Sequence, residues 1–112
     1  MDIRERAAGG VTVLDLSGKV VLGEGDVQIK ERIKELLADG QRKVLLNLGD
    51  VTYIDSAGLG ALISSYATVR RDSGQMKLVN LTKRVQDLLA ITKLITVFDT
   101  FDSEEEAIAS FK

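Results

Sequence analysis

The chain contains neither cysteine nor histidine, and this double absence removes much of known enzyme chemistry. Without cysteine it can form no disulfide bond, thiolate zinc site or cysteine nucleophile. Without histidine it lacks the usual general base, the usual ligand of catalytic zinc and the serine–histidine triad. We therefore expect a protein that is not an enzyme and that holds no metal and no cofactor.

Aromatic residues are also scarce, and the chain carries no excess of positive charge. Aromatics make up 4% of the chain, the net charge is −2 and the pI is about 5.1. These values argue against a nucleic-acid-binding surface. No apolar run approaches the roughly 20 residues that span a bilayer, and the charged segment 1–6 is unlike a signal peptide. We expect a cytoplasmic protein that binds neither nucleic acid nor membrane.

The length and composition predict one globular domain over residues 1–112. The chain has 45% hydrophobic and 29% charged residues, ordinary values for a folded domain. It has no proline, and we find no low-complexity tract or internal repeat. A chain of 112 residues is long enough to bury one apolar core.

Short apolar and β-branched runs predict five strands. Gly9–Gly10 is placed for a hairpin turn after the first run, and Gly49–Asp50 for a turn after the third. We interpret the third run as a central buried strand. The runs are 2–8, 11–16 with an extension at 19–22 beyond Gly18, 43–48, 76–81 and 95–98.

Apolar residues at helical spacing predict four helices. Asp26, Thr82 and Ser103 are placed as N-caps, and the first two helices should end near Gly40 and before Gly74. The expected inward residues are Ile29, Ile33, Leu36 and Leu37; Leu59, Leu62, Ile63, Tyr66 and Val69; Val85, Leu88 and Leu89; and Ile108 and Phe111. Strands that alternate with helices, after an initial hairpin, indicate the α/β class with a mixed sheet.

The segment Asp55–Gly60, with the sequence D-S-A-G-L-G, follows the central strand and opens the second helix. It places the Ser56 hydroxyl at a helix N-terminus, where the dipole and free amides favour negative charge. A phosphate on Ser56 would add about −1.5 to −2 charge there, partly opposed by Asp55. The spacing alone favours a simpler interpretation, in which Asp55 or Ser56 only caps the helix.

Sharper catalytic motifs each fail at one or two positions. A dinucleotide fingerprint needs glycine where the chain has Ile63. A P-loop around Gly18-Lys19 needs glycine where the chain has Val13, and serine or threonine where it has Val20. A hydrolase elbow needs glycine where the chain has Ile54. An aspartate-phosphorylated receiver would have a similar length, but its acidic pair after the first strand and its strand-end lysine are missing.

Other polar and aromatic clusters have plain structural interpretations. Glu104–Glu106 suits the first turn of a helix better than a cation site. Lys83 and Arg84 favour a solvated helix face, and Tyr53 and Tyr66 favour the core or its edge.

The segment Val51–Gly60 closely resembles the STAS-domain anti-sigma factor antagonists of bacteria. The similarity extends from the Val11 strand through 45–48 and 76–81 to Leu94. The resemblance implies a STAS-like mixed sheet of four to five strands with about four helices. It also implies a protein that acts by binding rather than by catalysis.

The resemblance further implies a partner-switching cycle. The unphosphorylated form would bind an anti-sigma factor that is also a serine kinase, which frees the sigma factor. The kinase would then phosphorylate Ser56 and abolish binding, and a serine phosphatase would reset the protein. The implied partner surface comprises Asp55, Ser56, Ala57, Gly58 and Leu59, with Gly18 and Lys19 of the neighbouring loop.

The chain departs from the family pattern at two places. Ala57 stands where serine or threonine is common, and the family's glycine–glutamate–apolar–aspartate loop here is Gly18-Lys19-Val20-Val21. Acidic Glu24 and Asp26 come further downstream. An alternative is therefore a STAS scaffold or adaptor that is not phosphorylated, as a subunit of a larger signalling or lipid-transport complex. A nucleotide hydrolase without recognisable motifs is a third hypothesis.

Overall fold

Five strands and four α-helices alternate within residues 1–111, the part of the chain that the computed structural model describes. The strands are β1 (Asp2–Ala8), β2 (Val11–Val20), β3 (Lys43–Ile54), β4 (Gln75–Val79) and β5 (Thr100–Phe101). The helices are α1 (Gly25–Ala38), α2 (Ser56–Arg71), α3 (Lys83–Ile91) and α4 (Glu104–Ser110). A 3₁₀ turn (Leu94–Thr96) lies between α3 and β5.

The strands form one sheet in chain order, β1-β2-β3-β4-β5. β1 and β2 pair antiparallel, and every later neighbouring pair is parallel. The mixed α/β fold predicted from the sequence is confirmed. The carboxyl ends of β2 and β3 meet at one edge of the sheet, because these two strands are parallel neighbours.

Each face of the sheet has its own apolar core. Leu14 and Leu46 belong to the larger core, which α1, α2 and α3 cover. Their neighbours Val13 and Leu45 belong to the smaller core with Phe111 and the helix α4. Neighbouring residues of a strand point to opposite faces, so the short apolar runs of β2 and β3 serve both cores.

Most local signals mark the ends of elements as predicted. α1 ends at Ala38, and Gly40 follows with a left-handed backbone (φ 84°) that suits glycine. Thr82 Oγ1 accepts a hydrogen bond from the Val85 amide at 3.3 Å and caps α3. Ser103 Oγ accepts one from the Glu106 amide at 3.2 Å and caps α4.

The predicted last strand over 95–98 is wrong. Residues 94–96 form the 3₁₀ turn, and Phe98 is buried with its ring edge-to-face against Tyr66, the centroids 5.2 Å apart. Because Phe98 fills the larger core, the chain reaches the sheet only at Thr100, where β5 pairs with β4.

The predicted turn at Gly49–Asp50 is also wrong, because β3 continues without a break to Ile54. The Gly49 amide donates to Asn47 Oδ1 at 3.1 Å, and β2 pairs with the second half of β3 through a shifted register. Gly18 likewise does not interrupt β2 but lies within it at a register shift.

Asp26 is not the N-cap of α1. The helix begins at Gly25, so its N-cap position is Glu24. The Asp26 carboxylate instead accepts a hydrogen bond from the next amide, that of Val27, at 2.8 Å. A Cβ on Gly25 would lie 2.8 Å from Val20 Cα, so the close approach to β2 sets where this helix starts.

Candidate functional site

The N-terminus of α2 rests on the last residue of β2. The Asp55 amide donates a hydrogen bond to the Val20 carbonyl oxygen at 3.3 Å. A Cβ on Gly58 would lie only 2.1 Å from the same oxygen. Glycine at position 58 therefore allows α2 to begin against the strand end, which fixes where Ser56 lies.

The Asp55 side chain caps α2 and also holds the neighbouring loop. Its Oδ1 accepts a hydrogen bond from the Gly58 amide at 2.8 Å, and its Oδ2 accepts one from the Leu22 amide at 3.1 Å. These two hydrogen bonds hold the pKa of the Asp55 carboxyl below its usual range, and the bond from the Gly58 amide has the larger effect. The helix therefore begins beside a fixed negative charge.

Ser56 is the first residue of α2, and its side chain is exposed. Asp55 performs the capping, so the sequence's choice between Asp55 and Ser56 as the cap is resolved in favour of Asp55. No hydrogen bond of the Ser56 hydroxyl is found within residues 1–111. The hydroxyl is thus presented at the surface of the described structure.

The other predicted site residues divide into exposed and buried positions. Lys19 is exposed and lies opposite Tyr53, and the half-buried Gly18 lies opposite Val51. Ala57 is half-buried, and Gly58 is buried against Val20. Leu59 is only 7% exposed and belongs to the larger core, so it supports the first turn of α2 from beneath.

Two exposed apolar side chains near this edge were missed from the sequence. Leu22, whose amide binds Asp55, is 74% exposed, and Ile91 at the end of α3 is 79% exposed. Both residues belong to short apolar runs, so the sequence pattern did not indicate that their side chains are exposed.

Tyr53 is not a core residue, contrary to the prediction, because its side chain is 43% exposed. The Arg84 guanidinium lies over its ring, 5.5 Å from the centroid. The two residues border a shallow hollow of about 460 Å³ that Ile91 also lines. Tyr66 does lie at the edge of the core, as predicted.

The acidic segment at the start of α4 forms an ion pair. Glu104 contacts Arg6 at 2.6 Å, and Arg6 also binds Asp15 at 2.6 Å. Among the described residues, no group of three acidic, histidine or cysteine side chains could hold a metal ion. Over the same residues 1–111, no helix is long and apolar enough to cross a membrane.

The sheet order and the covering helices are those of a STAS domain, and the chain belongs to this family. The family's sequence model matches residues 2–107. This match extends over nearly all of the described structure and includes the whole of the site at Asp55–Leu59.

Curated relatives of this chain carry names from one functional class. BtrV of Bordetella bronchiseptica, named provisionally as an anti-sigma factor antagonist, is 30% identical over 103 residues, covering 92% of this chain and 88% of its own length. The anti-sigma-B factor antagonist of Bacillus subtilis is 32% identical over 91 residues, covering 79% and 84%.

Solved structures share the fold at lower identity. An anti-sigma factor antagonist from Mycobacterium paratuberculosis superposes with a TM-score of 0.85 at 18% identity, covering 98% of this chain and 92% of its own. The Bacillus protein SpoIIAA in its phosphorylated form superposes with a TM-score of 0.74 at 19% identity, covering 96% and 97%. At these identities the likeness establishes the fold.

Proposed function

We propose that this chain is an anti-sigma factor antagonist, which binds an anti-sigma factor and thereby frees a sigma factor. The observation that carries the proposal is the exposed Ser56 hydroxyl beside the ionised Asp55, at the N-terminus of α2 in a STAS domain. The names of the B. subtilis and B. bronchiseptica relatives support the same role. This role requires binding, and it requires no catalytic group of the chain's own.

The proposed contact surface lies at the carboxyl ends of β2 and β3. Ser56 and Lys19 supply its polar part, and the exposed Leu22 supplies an apolar anchor beside them. Asp55 ties the Leu22 loop to α2 and holds the surface in one arrangement. A surface that is ordered before binding loses less conformational entropy when the partner docks.

Phosphorylation of Ser56 is the proposed switch. The anti-sigma factor would act as the serine kinase, and a serine phosphatase would reverse the reaction. A phosphate would add about −1.5 to −2 charge to a side chain next to the ionised Asp55. The dianion would repel an acidic partner surface and would need desolvation in a tight interface, so binding is lost.

Intact-mass spectrometry tests the switch. The chain is incubated with ATP and the candidate anti-sigma kinase of the host, beside Ser56→Ala and the control Ser64→Ala, which removes another exposed serine of α2. We expect one phosphate on the wild type and on the control, and none on Ser56→Ala. A panel of host kinases, each active on its own substrate, that leaves the wild type unmodified would favour the unphosphorylated scaffold.

Binding to the anti-sigma factor tests the surface itself by titration calorimetry. We expect Ser56→Ala to lose less affinity than Ser56→Asp, because alanine removes one neutral hydroxyl from the surface and adds no charge. We expect Ser56→Asp to bind at least about tenfold more weakly, through repulsion and desolvation of the added charge. Equal affinity of Ser56→Asp and wild type would refute the switch at this position.

A further inference from the structure

The hollow of about 460 Å³ between the end of β3 and the helix α3 lies at the same edge of the sheet as Ser56. Tyr53 forms one of its walls and comes three residues before Ser56 in the chain. The register partner of Tyr53 is Lys19 of the proposed contact surface, and neighbouring strands lie about 4.8 Å apart. The hollow is therefore continuous with the surface around Ser56.

Apolar and aromatic side chains make up most of the lining. Ile54 is buried and Leu88 is half-buried, so these two residues close the hollow on the side of the larger core. Tyr53 and Ile91 line the same hollow but are exposed, Ile91 by 79%. Single exposed apolar residues are ordinary, whereas here two of them border one concave site that the fold leaves open to water.

The rim of the hollow carries a cation without a carboxylate partner. The Arg84 guanidinium lies 5.5 Å from the centroid of the Tyr53 ring and forms no ion pair within residues 1–111. Asp87, which also lines the hollow, pairs with Lys83 at 3.4 Å instead. The helix dipole disfavours a cation in the first turn of α3, so the helix does not account for Arg84. Together with the exposed Lys19 beside Tyr53, Arg84 makes this edge attractive to an acidic group.

We propose that the hollow is a second part of the partner-binding surface and receives an apolar side chain of the anti-sigma factor, with a carboxylate next to it. The apolar side chain packs between Tyr53 and Ile91, and the carboxylate pairs with Arg84. Side chains that fill such pockets contribute most to protein–protein affinity, and complementary charge at the rim fixes their orientation. The inference rests on the proposed function and adds to it a contact outside the phosphorylated segment.

Titration calorimetry with the host's anti-sigma factor tests the apolar contact. We expect Ile91→Ser to bind at least about fivefold more weakly, because a hydroxymethyl group replaces the apolar side chain that the partner covers. The matched control is Val97→Ser, which removes an exposed β-branched residue that does not line the hollow. This control should bind like the wild type.

The same titration tests the charged contact. We expect Arg84→Glu to bind at least about tenfold more weakly, because the substitution sets two carboxylates against each other. The control Arg71→Glu makes the same change of charge at the far end of α2, about 22 Å from Ser56 along the helix. It should bind like the wild type.

Urea unfolding separates an effect on the surface from an effect on the fold. Ile91 is exposed, and glutamate suits the first turn of a helix, so Ile91→Ser and Arg84→Glu should both unfold close to the wild-type midpoint. Weaker binding together with unchanged unfolding assigns the loss to the hollow.

NMR spectra of the ¹⁵N-labelled chain with the unlabelled anti-sigma factor locate the contact without any substitution. We expect the amide signals of Tyr53, Leu88 and Ile91 to shift or broaden together with that of Ser56. Binding that is lost in Ser56→Asp but keeps wild-type affinity in Ile91→Ser and Arg84→Glu would overturn the hollow and leave the proposed function intact. Absence of any binding by the wild type would overturn the proposed function, and this contact with it.

Discussion

Gly58 is the residue at which α2 touches the end of β2, and the structure leaves no room there for a side chain. The nearest atom to an added Cβ is the Val20 carbonyl oxygen at 2.1 Å, which is backbone and already accepts the Asp55 amide. Gly60 lies two residues further along the same helix. Within residues 1–111, no atom outside its own stretch of helix backbone and its chain neighbours lies within 4 Å of an added Cβ there. Position 58 therefore requires glycine for lack of space, whereas position 60 has space for a side chain.

Alanine substitutions at these two glycines should have opposite effects on stability. We expect Gly58→Ala to destabilise the fold by about 1–3 kcal/mol or more, because α2 must move away from β2. Gly60→Ala should be neutral or stabilising by up to about 1 kcal/mol, because alanine favours the helix. Urea unfolding at pH 7 measures both. Equal losses of unfolding free energy would contradict the close approach at Val20.

At the scale of elements, one arginine joins two strands to a helix on the smaller core's side of the sheet. Arg6 of β1 donates to Asp15 of β2 at 2.6 and 2.9 Å, and to Glu104 of α4 at 2.6 and 3.2 Å. Asn47 of β3 also donates to Asp15, at 2.8 Å. The hydrogen bonds from Arg6 and Asn47 hold the pKa of the Asp15 carboxyl below its ordinary value of 3.8, and Arg6 has the larger effect.

The stability that Asp15 gains from these bonds should depend on pH. Because its folded pKa is lowered, the contribution is present above the unfolded pKa and is lost as the pH falls through the folded pKa. We expect Arg6→Gln to cost about 1 kcal/mol at pH 7, a modest figure because the ion pair is partly exposed and screened by water. The cost should shrink as the carboxyl is protonated.

Urea unfolding of wild type and Arg6→Gln, at neutral pH and again at a pH well below 3.8, measures this change, because the folded carboxyl is protonated only below its ordinary pKa. Arg32→Gln is the matched control, since Arg32 pairs with exposed carboxylates at 3.4–3.5 Å, and we expect almost no effect at either pH. A cost of Arg6→Gln that is the same at both pH values would show that the ion pair contributes nothing.

At the scale of the whole molecule, the two faces of the sheet are covered very unequally. Three helices cover the larger core, whereas the smaller core is covered by α4, a helix of 7 residues. A helix this short is not stable alone, so its packing against the sheet must hold it. Ala107 lies in the smaller core and is 0% exposed, while Ala109 on the same helix is exposed.

We expect Ala107→Glu to detach α4 while the rest of the sheet remains folded, because a buried unpaired carboxylate costs more than a short helix can offset. Hydrogen exchange should become fast at residues 104–110 and stay slow in β2, β3 and β4. The exposed strip of Val11, Val13 and Leu45 should bind the dye ANS. Ala109→Glu should behave like the wild type, and loss of all protection in Ala107→Glu would show that α4 is not a separate unit.

Some caps and helix ends were predictable because each depends on residues next to one another, whereas the cap at Asp26 and the turn at Gly49–Asp50 were not. Thr82 and Ser103 cap the helices that the sequence assigned to them, and Gly40 follows the helix expected to end there. The segment 95–98 was not predictable, because its β-branched residues suit a strand and only the packing of Phe98 on Tyr66 places it elsewhere.

The sequence by itself determined the fold class, the order of the elements and the position of Ser56 at the start of a helix, since these follow from local periodicity and capping chemistry. Tertiary structure decided what surrounds that serine. Asp55 caps α2 and binds Leu22, 33 residues away in the chain, because β2 and β3 end side by side. It also decided that Tyr53 is exposed, since burial depends on which elements meet.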